Sequence, residues 1–352
     1  LVGSEMCIRD RNLLKDDPKY SLDGIGAYHL TLGRNKKSVE LDLKSDQGLK
    51  LFKELVSVAD VVVDNFSQGV TKRLGIDHEN LKDVNPKIIT CSISGFGDTE
   101  VNRPAYDNLI QGYAGAMSIT GTDKENPVKS GIPIADLGAG LYAVIGILSA
   151  IQSREKNDSG EHVDISMLDT QVSLLTYMAT MHFLSGENPE PIGNQHMNHV
   201  PFNSYRTSDG FIQIGVVAED FWPSLIEALD LKQLDTEENK LRIGRLKNRE
   251  NIDEAVQEVF ITNTTEHWLK ILQDHRVPCG PINTLSETFE DADLLKRNMI
   301  VEVLQDSGAF VKMPGNPVKI SNHDEEFRRS PKLGEHTSEI FKNWLEKDIS
   351  VD

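Results

Sequence analysis

One carboxylate in this chain stands where local structure and chemistry both have a use for it. In Gly131-Ile-Pro-Ile-Ala-Asp-Leu-Gly-Ala-Gly-Leu-Tyr-Ala-Val-Ile-Gly146, a short extended apolar run passes through Asp136 into a small-residue helix. That helix is expected from Leu137 to about Ser153 and is apolar on nearly every face. A helix start presents unpaired N–H groups and the positive end of the helix dipole, so an aspartate there is readily held ionised. Such a group can be an N-cap, a nucleophile or a general base, and residue type alone favours the cap. A second pair, Tyr106-Asp107 in Arg103-Pro-Ala-Tyr-Asp107, opens another small-residue apolar helix. Asp107 there reads as a plain cap, or Tyr106 beside it as a donor to a substrate carboxylate or oxyanion.

Two further groups carry candidate chemistry. Arg34, Lys36, Lys37 and Lys44 form a basic patch in an acidic chain, and Lys72-Arg73 extend it after the next strand. They suit a phosphate-binding rim as well as a sheet edge protected by lysines. His196 and His199 share a polar loop with Asn194 and Asn198. Two histidines three apart with no third ligand in view read as hydrogen-bonding loop residues, and no metal is expected. No G-x-G-x-x-G follows a strand, and neither a Walker A run nor a G-x-S-x-G elbow occurs. Dehydrogenase, nucleotidase and esterase readings are weakened accordingly.

These groups need a scaffold. Ser38 to Leu43 alternates like a strand, and Ser45 can cap a helix in which Leu49, Phe52, Leu55 and Val56 form one stripe. Strands are expected at Asp60–Asp64, Lys87–Ser94 and Glu161–Ser166, with short helices at Val70–Leu74 and His78–Val84. Strands alternating with helices imply parallel βαβ units, whose ligands bind beyond the carboxyl ends of the strands. Asn65, Phe66, Ser94, Gly95 and Gly97 lie there. A helix over Met167–Leu184 is followed by a Pro-, Gly- and Asn-containing break from Ser185 to Pro201. Then come a hairpin over Phe202–Val217 and helices at Asp220–Leu229, about 250–261 and Glu266–His275. Pro278-Cys-Gly-Pro281 reads as a rigid break, 299–320 as β with turns, and Glu335–Lys347 as a polar helix.

The fold class is therefore α/β, in two domains, as 352 residues suggest. A large domain spans 12–185, a linker or substrate loop 186–203, a smaller α+β domain 204–318, and a C-terminal segment 319–352. Residues 1–11, LVGSEMCIRDR, have no periodicity and read as a non-native scar. Hydrophobic content of 38% and charged content of 26% describe an ordinary globular chain. The apolar helix over 137–151 is too short to span a membrane and contains three glycines. A net charge of −18 argues against nucleic acid and anionic membranes as partners, while leaving room for a polyanionic ligand on a local basic cluster. Cys7, Cys91 and Cys279 show neither disulfide nor metal spacing, which fits a reducing, cytoplasmic setting.

Separated blocks of this sequence resemble the class III coenzyme A transferases, the CaiB–BaiF type whose best-known member is formyl-CoA transferase. The blocks are Gly33–Lys44, ADVVVDNF (59–66), KRLGI (72–76), ITCSISGFG (89–97), RPAYDNLIQGYAG (103–115) and SGIPIADLGAGLYAVIGILSA (130–150). VPCGPI (277–282) and LGEHTSEI (333–340) follow in the family's order, so the resemblance covers roughly residues 20–345. It implies a Rossmann-like large domain to which the C-terminal segment returns, a small domain, and two chains interlocked as rings in a homodimer. It also implies an acyl-CoA donor, a carboxylate acceptor, and Asp136 as nucleophile through an aspartyl-CoA thioester.

By position, Leu41, Asp42, Leu43, Lys44, Asn65, Phe66, Ser67 and Arg73 match family segments lining the coenzyme A site. Pro104, Ala105, Tyr106 and Asp107 match the segment beside the thioester. Asn194, His196, Asn198 and His199 occupy the place of a substrate loop, polar enough for a second carboxylate, so a dicarboxylate such as succinate is expected. Related acyl-CoA racemases carry a histidine where Tyr106 stands; a phenol exchanges α-protons poorly, which favours transfer over epimerisation. A non-catalytic coenzyme A-binding protein, with Asp136 only a cap, is the alternative from another class. Two departures stand out. Members commonly read Asn-Phe-Arg-Pro-Gly where this chain has Asn65-Phe-Ser-Gln-Gly69, and they begin with about one further βα unit. On that reading the polypeptide as given lacks an N-terminal unit of an active enzyme, and whether it is active by itself is left open.

Overall fold

The structure, a computed structural model, describes residues 14–101 and 103–347, with the backbone of a two-residue strand at Val2–Gly3. Apart from that strand, which pairs in parallel with Val39–Glu40, the 1–11 stretch read as a scar lies outside the described residues. The chain is a mixed α/β protein that divides into two compact units.

The first unit comprises residues 1–107, 135–170 and 288–352. Its centre is a parallel sheet in the order Val61–Asp64, Ile89–Ser94, His162–Ser166. Ile88, Ile89 and Cys91 are fully buried, and Leu41, Leu43, Phe52, Leu55, Val56 and Leu81 pack into the core beside them. Ser45 caps the helix Asp46–Val56 by accepting from the Gly48 N–H at 3.0 Å, as the sequence predicts. The hairpin Ile300–Leu304/Phe310–Pro314, grouped on sequence with the small domain, falls in this unit. The reason is non-local: Val301, Val303 and Met313 share a buried cluster with Ile25 and Leu30.

The expected limits of the apolar helix need correction. It runs from Ile134 to Asn157, 24 residues, so that by length and composition alone it could cross a membrane. Only 28% of its most apolar stretch is buried within the chain. Ala135, Gly138, Ala139, Ala143 and Ala150 are the buried residues, whereas Leu137, Leu141, Val144, Ile145 and Leu148 are exposed. Small residues let the helix backbone come close to its neighbours. At Gly146 a Cβ would stand 2.6 Å from Cγ1 of Val163 in the third strand. The next apolar stretch, expected as one helix over Met167–Leu184, is two, Met167–Leu174 and Tyr177–Ser185. Thr176, at φ 49°, ψ −122°, breaks it.

The second unit, residues 108–134 and 171–287, is built on an antiparallel sheet in the order Cys279–Pro281, Phe211–Gly215, Phe202–Arg206. Pro278-Cys-Gly-Pro281, read as a break, supplies the third strand. Trp222, Leu225, Ile212, Ile214, Phe260 and Leu272 are buried beneath it, with the Trp268 indole donating to the Phe260 carbonyl at 2.9 Å. Cys91 and Cys279 are free thiols.

Gly146→Ala tests the close packing of the long helix. Alanine gains about 0.5–1 kcal/mol of helix propensity, but overpacking against a stiff β-branched side chain costs about 1–3 kcal/mol. Chemical denaturation should therefore give a less stable protein, and adding Val163→Ala should reverse the sign.

Candidate active site

Asp136 sits in the first turn of the long helix, two residues inside its start. The cap is supplied by another residue. Asp107 Oδ1 accepts from the backbone N–H of Ala135 at 2.8 Å and of Asp136 at 3.3 Å. Those are the donors that an N-cap carboxylate takes. The Asp136 carboxylate is left with no hydrogen-bond or ion-pair partner among the described residues, on an exposed residue. The helix start was expected to hold this group ionised, and the direction found is the opposite. Loss of hydration and then the negative charge of Asp107 push the Asp136 carboxyl above its ordinary range. A capped helix end has already spent its dipole on the capping charge, which is why the expectation fails.

Tyr106, adjoining Asp107, is 68% exposed, and Pro104 is exposed with it. Asp107 itself opens the helix Asp107–Tyr113, so one carboxylate ties the start of that helix to the start of the long one.

Comparison with known proteins decides what this geometry belongs to. A profile of the family described as CoA-transferase family III matches residues 11–337. The chain belongs to that family. It is 32% identical to human succinyl-CoA:glutarate CoA-transferase over 325 residues, covering 91% of this chain and 74% of that protein. It is 31% identical to the succinyl-CoA:mesaconate CoA-transferase of Haloarcula hispanica, covering 94% of this chain and 86% of the relative. A solved CAIB/BAIF family protein from Brucella suis superposes with a TM-score of 0.86 at 32% identity, covering 97% of this chain and 90% of that one.

For this family III transferase the remaining expected site residues divide sharply by what their side chains touch. Leu41 and Leu43 are buried in the core, and Phe66 packs against it, so a ligand there would meet backbone. Asp42 accepts from the Lys44 N–H at 2.9 Å, closing the turn before Ser45. The Asn65 amide donates to the Ile93 carbonyl at 2.6 Å, linking two strands beyond their paired residues. Of the basic set, Arg34 donates to the Pro314 carbonyl and lies over Phe327, Lys36 donates to Leu32, and Lys37 pairs with Glu339. Lys44, Lys72 and Arg73 are exposed without an ion-pair partner among the described residues. Ser67 is exposed, and its carbonyl accepts from Val70 at 3.1 Å to start the helix that carries Lys72 and Arg73.

Two strand aspartates, Asp64 and Asp164, are residues that sequence reasoning passed over. Asp64 accepts from Ser92 Oγ at 2.6 Å and from the Phe66 N–H at 3.1 Å. Asp164 accepts from the Asp98 N–H at 2.9 Å. Gly97, at φ +73°, passes so close that a Cβ would lie 3.1 Å from Asp164 Oδ2. An aspartate closing the strand Val61–Asp64 and one interrupting His162–Ser166 were the available signal.

In the second unit the loop residues come together. The His196 and His199 rings are 4.6 Å apart, and His196 Nδ1 accepts from the Asn198 N–H at 3.0 Å. Asn194 donates to Ser204 Oγ at 2.7 Å. Burial first, then His196, Arg242 and Arg245, hold the His199 imidazole below its usual range, and its Nδ1 is buried without a partner. Among the described residues no three His, Cys, Asp or Glu side chains are grouped to hold a metal ion.

Asp107 variants separate charge from capping. Asp107→Asn keeps an acceptor over the helix start but removes the charge, so Asp136 should titrate at lower pH than in the parent. Asp107→Ala loses the cap as well, with about 1 kcal/mol of stability. Carboxyl-carbon NMR titration of Asp136 and denaturant unfolding read the two effects apart. An Asp136 titration unmoved in both variants would refute the coupling.

Proposed function

We propose that this family III transferase moves coenzyme A from an acyl-CoA to a free dicarboxylate through an aspartyl-CoA thioester on Asp136. The observation carrying this reading is the capped helix start. With Asp107 satisfying the N–H groups, Asp136 has no structural partner, and an unpartnered, destabilised carboxylate is a nucleophile rather than a cap. The named relatives transfer coenzyme A between succinate and glutarate or mesaconate, which supports a dicarboxylate on each side of the exchange.

In the first step an Asp136 oxygen attacks the thioester carbonyl; a C–O bond forms, the C–S bond breaks, and a mixed anhydride and thiolate result. The thiolate attacks the Asp136 carbonyl, releasing the donor acid and leaving the aspartyl thioester. The acceptor carboxylate repeats the sequence in reverse, and Asp136 regains its free carboxylate. No water or electron is consumed. Each carbonyl attacked develops an oxyanion, for which the exposed Tyr106 phenol is a candidate donor. Of the basic set, Lys44, Lys72 and Arg73, which have no ion-pair partner among the described residues, are read as the contacts for coenzyme A phosphates. Asn198 and His199 are read as the acceptor side, and the free thiols suit a reducing, cytoplasmic enzyme.

The side chains of Leu141, Val144, Ile145 and Leu148 are exposed on the long helix, a run of apolar surface of the kind that marks an interaction site. A second copy of the chain is the occupant proposed, in a homodimer. Leu141→Glu with Leu148→Glu should convert the dimer to monomer or aggregate in sedimentation; an unchanged species would rule this surface out.

The mechanism is tested by incubation with succinyl-CoA, trapping with borohydride or hydroxylamine, and peptide mapping. Modification of Asp136, absent in Asp136→Ala, is expected. Binding of coenzyme A without modification would leave a binding protein, and α-proton exchange without modification would indicate an epimerase.

A further inference from the structure

Three arginines from two consecutive helices grip the polar loop by its backbone. Arg242 and Arg245 lie in the helix Arg242–Lys247, and Arg249 opens the helix Arg249–Phe260 that follows directly. Arg242 and Arg245, three apart, share one face of the first helix, and Arg249 reaches the same loop from beyond the break at Asn248. Arg249 Nη2 donates to the His196 carbonyl at 2.7 Å. Arg242 Nη1 donates to the Asn198 carbonyl at 3.3 Å, and Arg245 Nε to the Val200 carbonyl at 2.9 Å. The partners are the carbonyls of His196, Asn198 and Val200, so alternate residues of the loop, which bends at Met197 and Asn198, are held by their backbone.

We propose that Arg242, Arg245 and Arg249 act as positioning residues, a backbone clamp that presets the loop from His196 to Val200 and thereby sets affinity for the acceptor carboxylate. This rests on the reading of that loop as the acceptor side. With the carbonyls occupied, and the Asn198 N–H donated to His196, the Asn198 amide side chain remains without a partner among the described residues. A carboxylate needs donors, and carbonyls turned toward it would repel it. Charged donors that withdraw three carbonyls leave the side-chain amide and the imidazole as the loop's polar face.

The three arginines differ in how far they are committed elsewhere. Arg245 is 1% exposed, pairs with Glu219 at 2.7 Å, donates to the Asn239 and Lys240 carbonyls, and lies over Trp222. Its loss would unfold the unit and test nothing. Arg242 is exposed and holds the loop by the longest of the three bonds, so it can be changed without touching the core.

The experiment uses the purified protein, first without substrate. Arg242→Ala and Arg249→Lys are compared with the parent by hydrogen exchange over residues 194–200. Exchange of the Asn198 amide should rise about tenfold in Arg242→Ala, the equivalent of one lost charge-assisted bond, with Arg242→Lys between. With succinyl-CoA and glutarate as probes, the glutarate KM should rise about tenfold while kcat and adduct formation at Asp136 stay within about twofold. Unchanged exchange in both variants overturns the clamp. Faster exchange with unchanged KM for both glutarate and mesaconate overturns its role in acceptor binding. Absence of an Asp136 adduct in the parent would instead sink the transfer mechanism, while the exchange data decide the clamp independently.

Discussion

Everything at the candidate active site depends on the bond from the Ala135 N–H to the Asp107 carboxylate. It satisfies the start of the long helix from outside, and it brings a second negative charge to the turn that carries Asp136. An N-cap is normally a local device, the residue just before the helix. Here the capping side chain is 28 residues away in sequence, so the turn bearing Asp136 keeps its shape only while two helix starts stay together. That arrangement frees the carboxylate at 136 from structural duty, and a group with no structural duty is available for chemistry.

The long helix answers a second constraint with the same residues. Its alanines and Gly138 are buried while its leucines, Val144 and Ile145 are exposed, the reverse of a surface helix. Small side chains are what close approach to a neighbouring backbone or strand requires. The larger ones then have nowhere to go within the chain. A helix that is apolar on every face is read from sequence as a core helix or a membrane span. A face left for another copy of the chain gives the same pattern, and periodicity alone cannot distinguish them.

Much of the scaffold was legible because it is set locally. The three parallel strands, the Ser45 cap, the helix Val70–Leu74 and the hairpin after Pro201 follow from alternation, caps and turn residues. What was not legible is non-local. The assignment of the hairpin Ile300–Pro314 to the first unit depends on packing against Ile25 and Leu30, nearly the whole chain apart. Within the basic patch, composition could not separate Lys37, paired with Glu339, from Lys44, which has an open field. Leu41 and Leu43 occupy the right segment, yet their side chains serve the core. A motif marks where a ligand passes; it does not say whether side chain or backbone faces it.

The raised Asp136 carboxyl also carries a thermodynamic consequence. A carboxyl whose folded-state value lies above its ordinary 3.8 favours the fold at low pH, and that contribution is lost as pH rises through the folded-state value. At neutral pH the ionised group therefore weighs against the folded state. A cap would act in the opposite sense, since accepting N–H bonds lowers the value and adds stability above it. Asp107 does the capping and Asp136 bears the unfavourable charge. The two roles that residue type leaves undecided at one aspartate are thus divided between two. The separation matters to the proposed exchange: a nucleophile tied into capping would have to break its hydrogen bonds at every turnover, whereas this one leaves the helix start intact when its oxygen bonds to carbon.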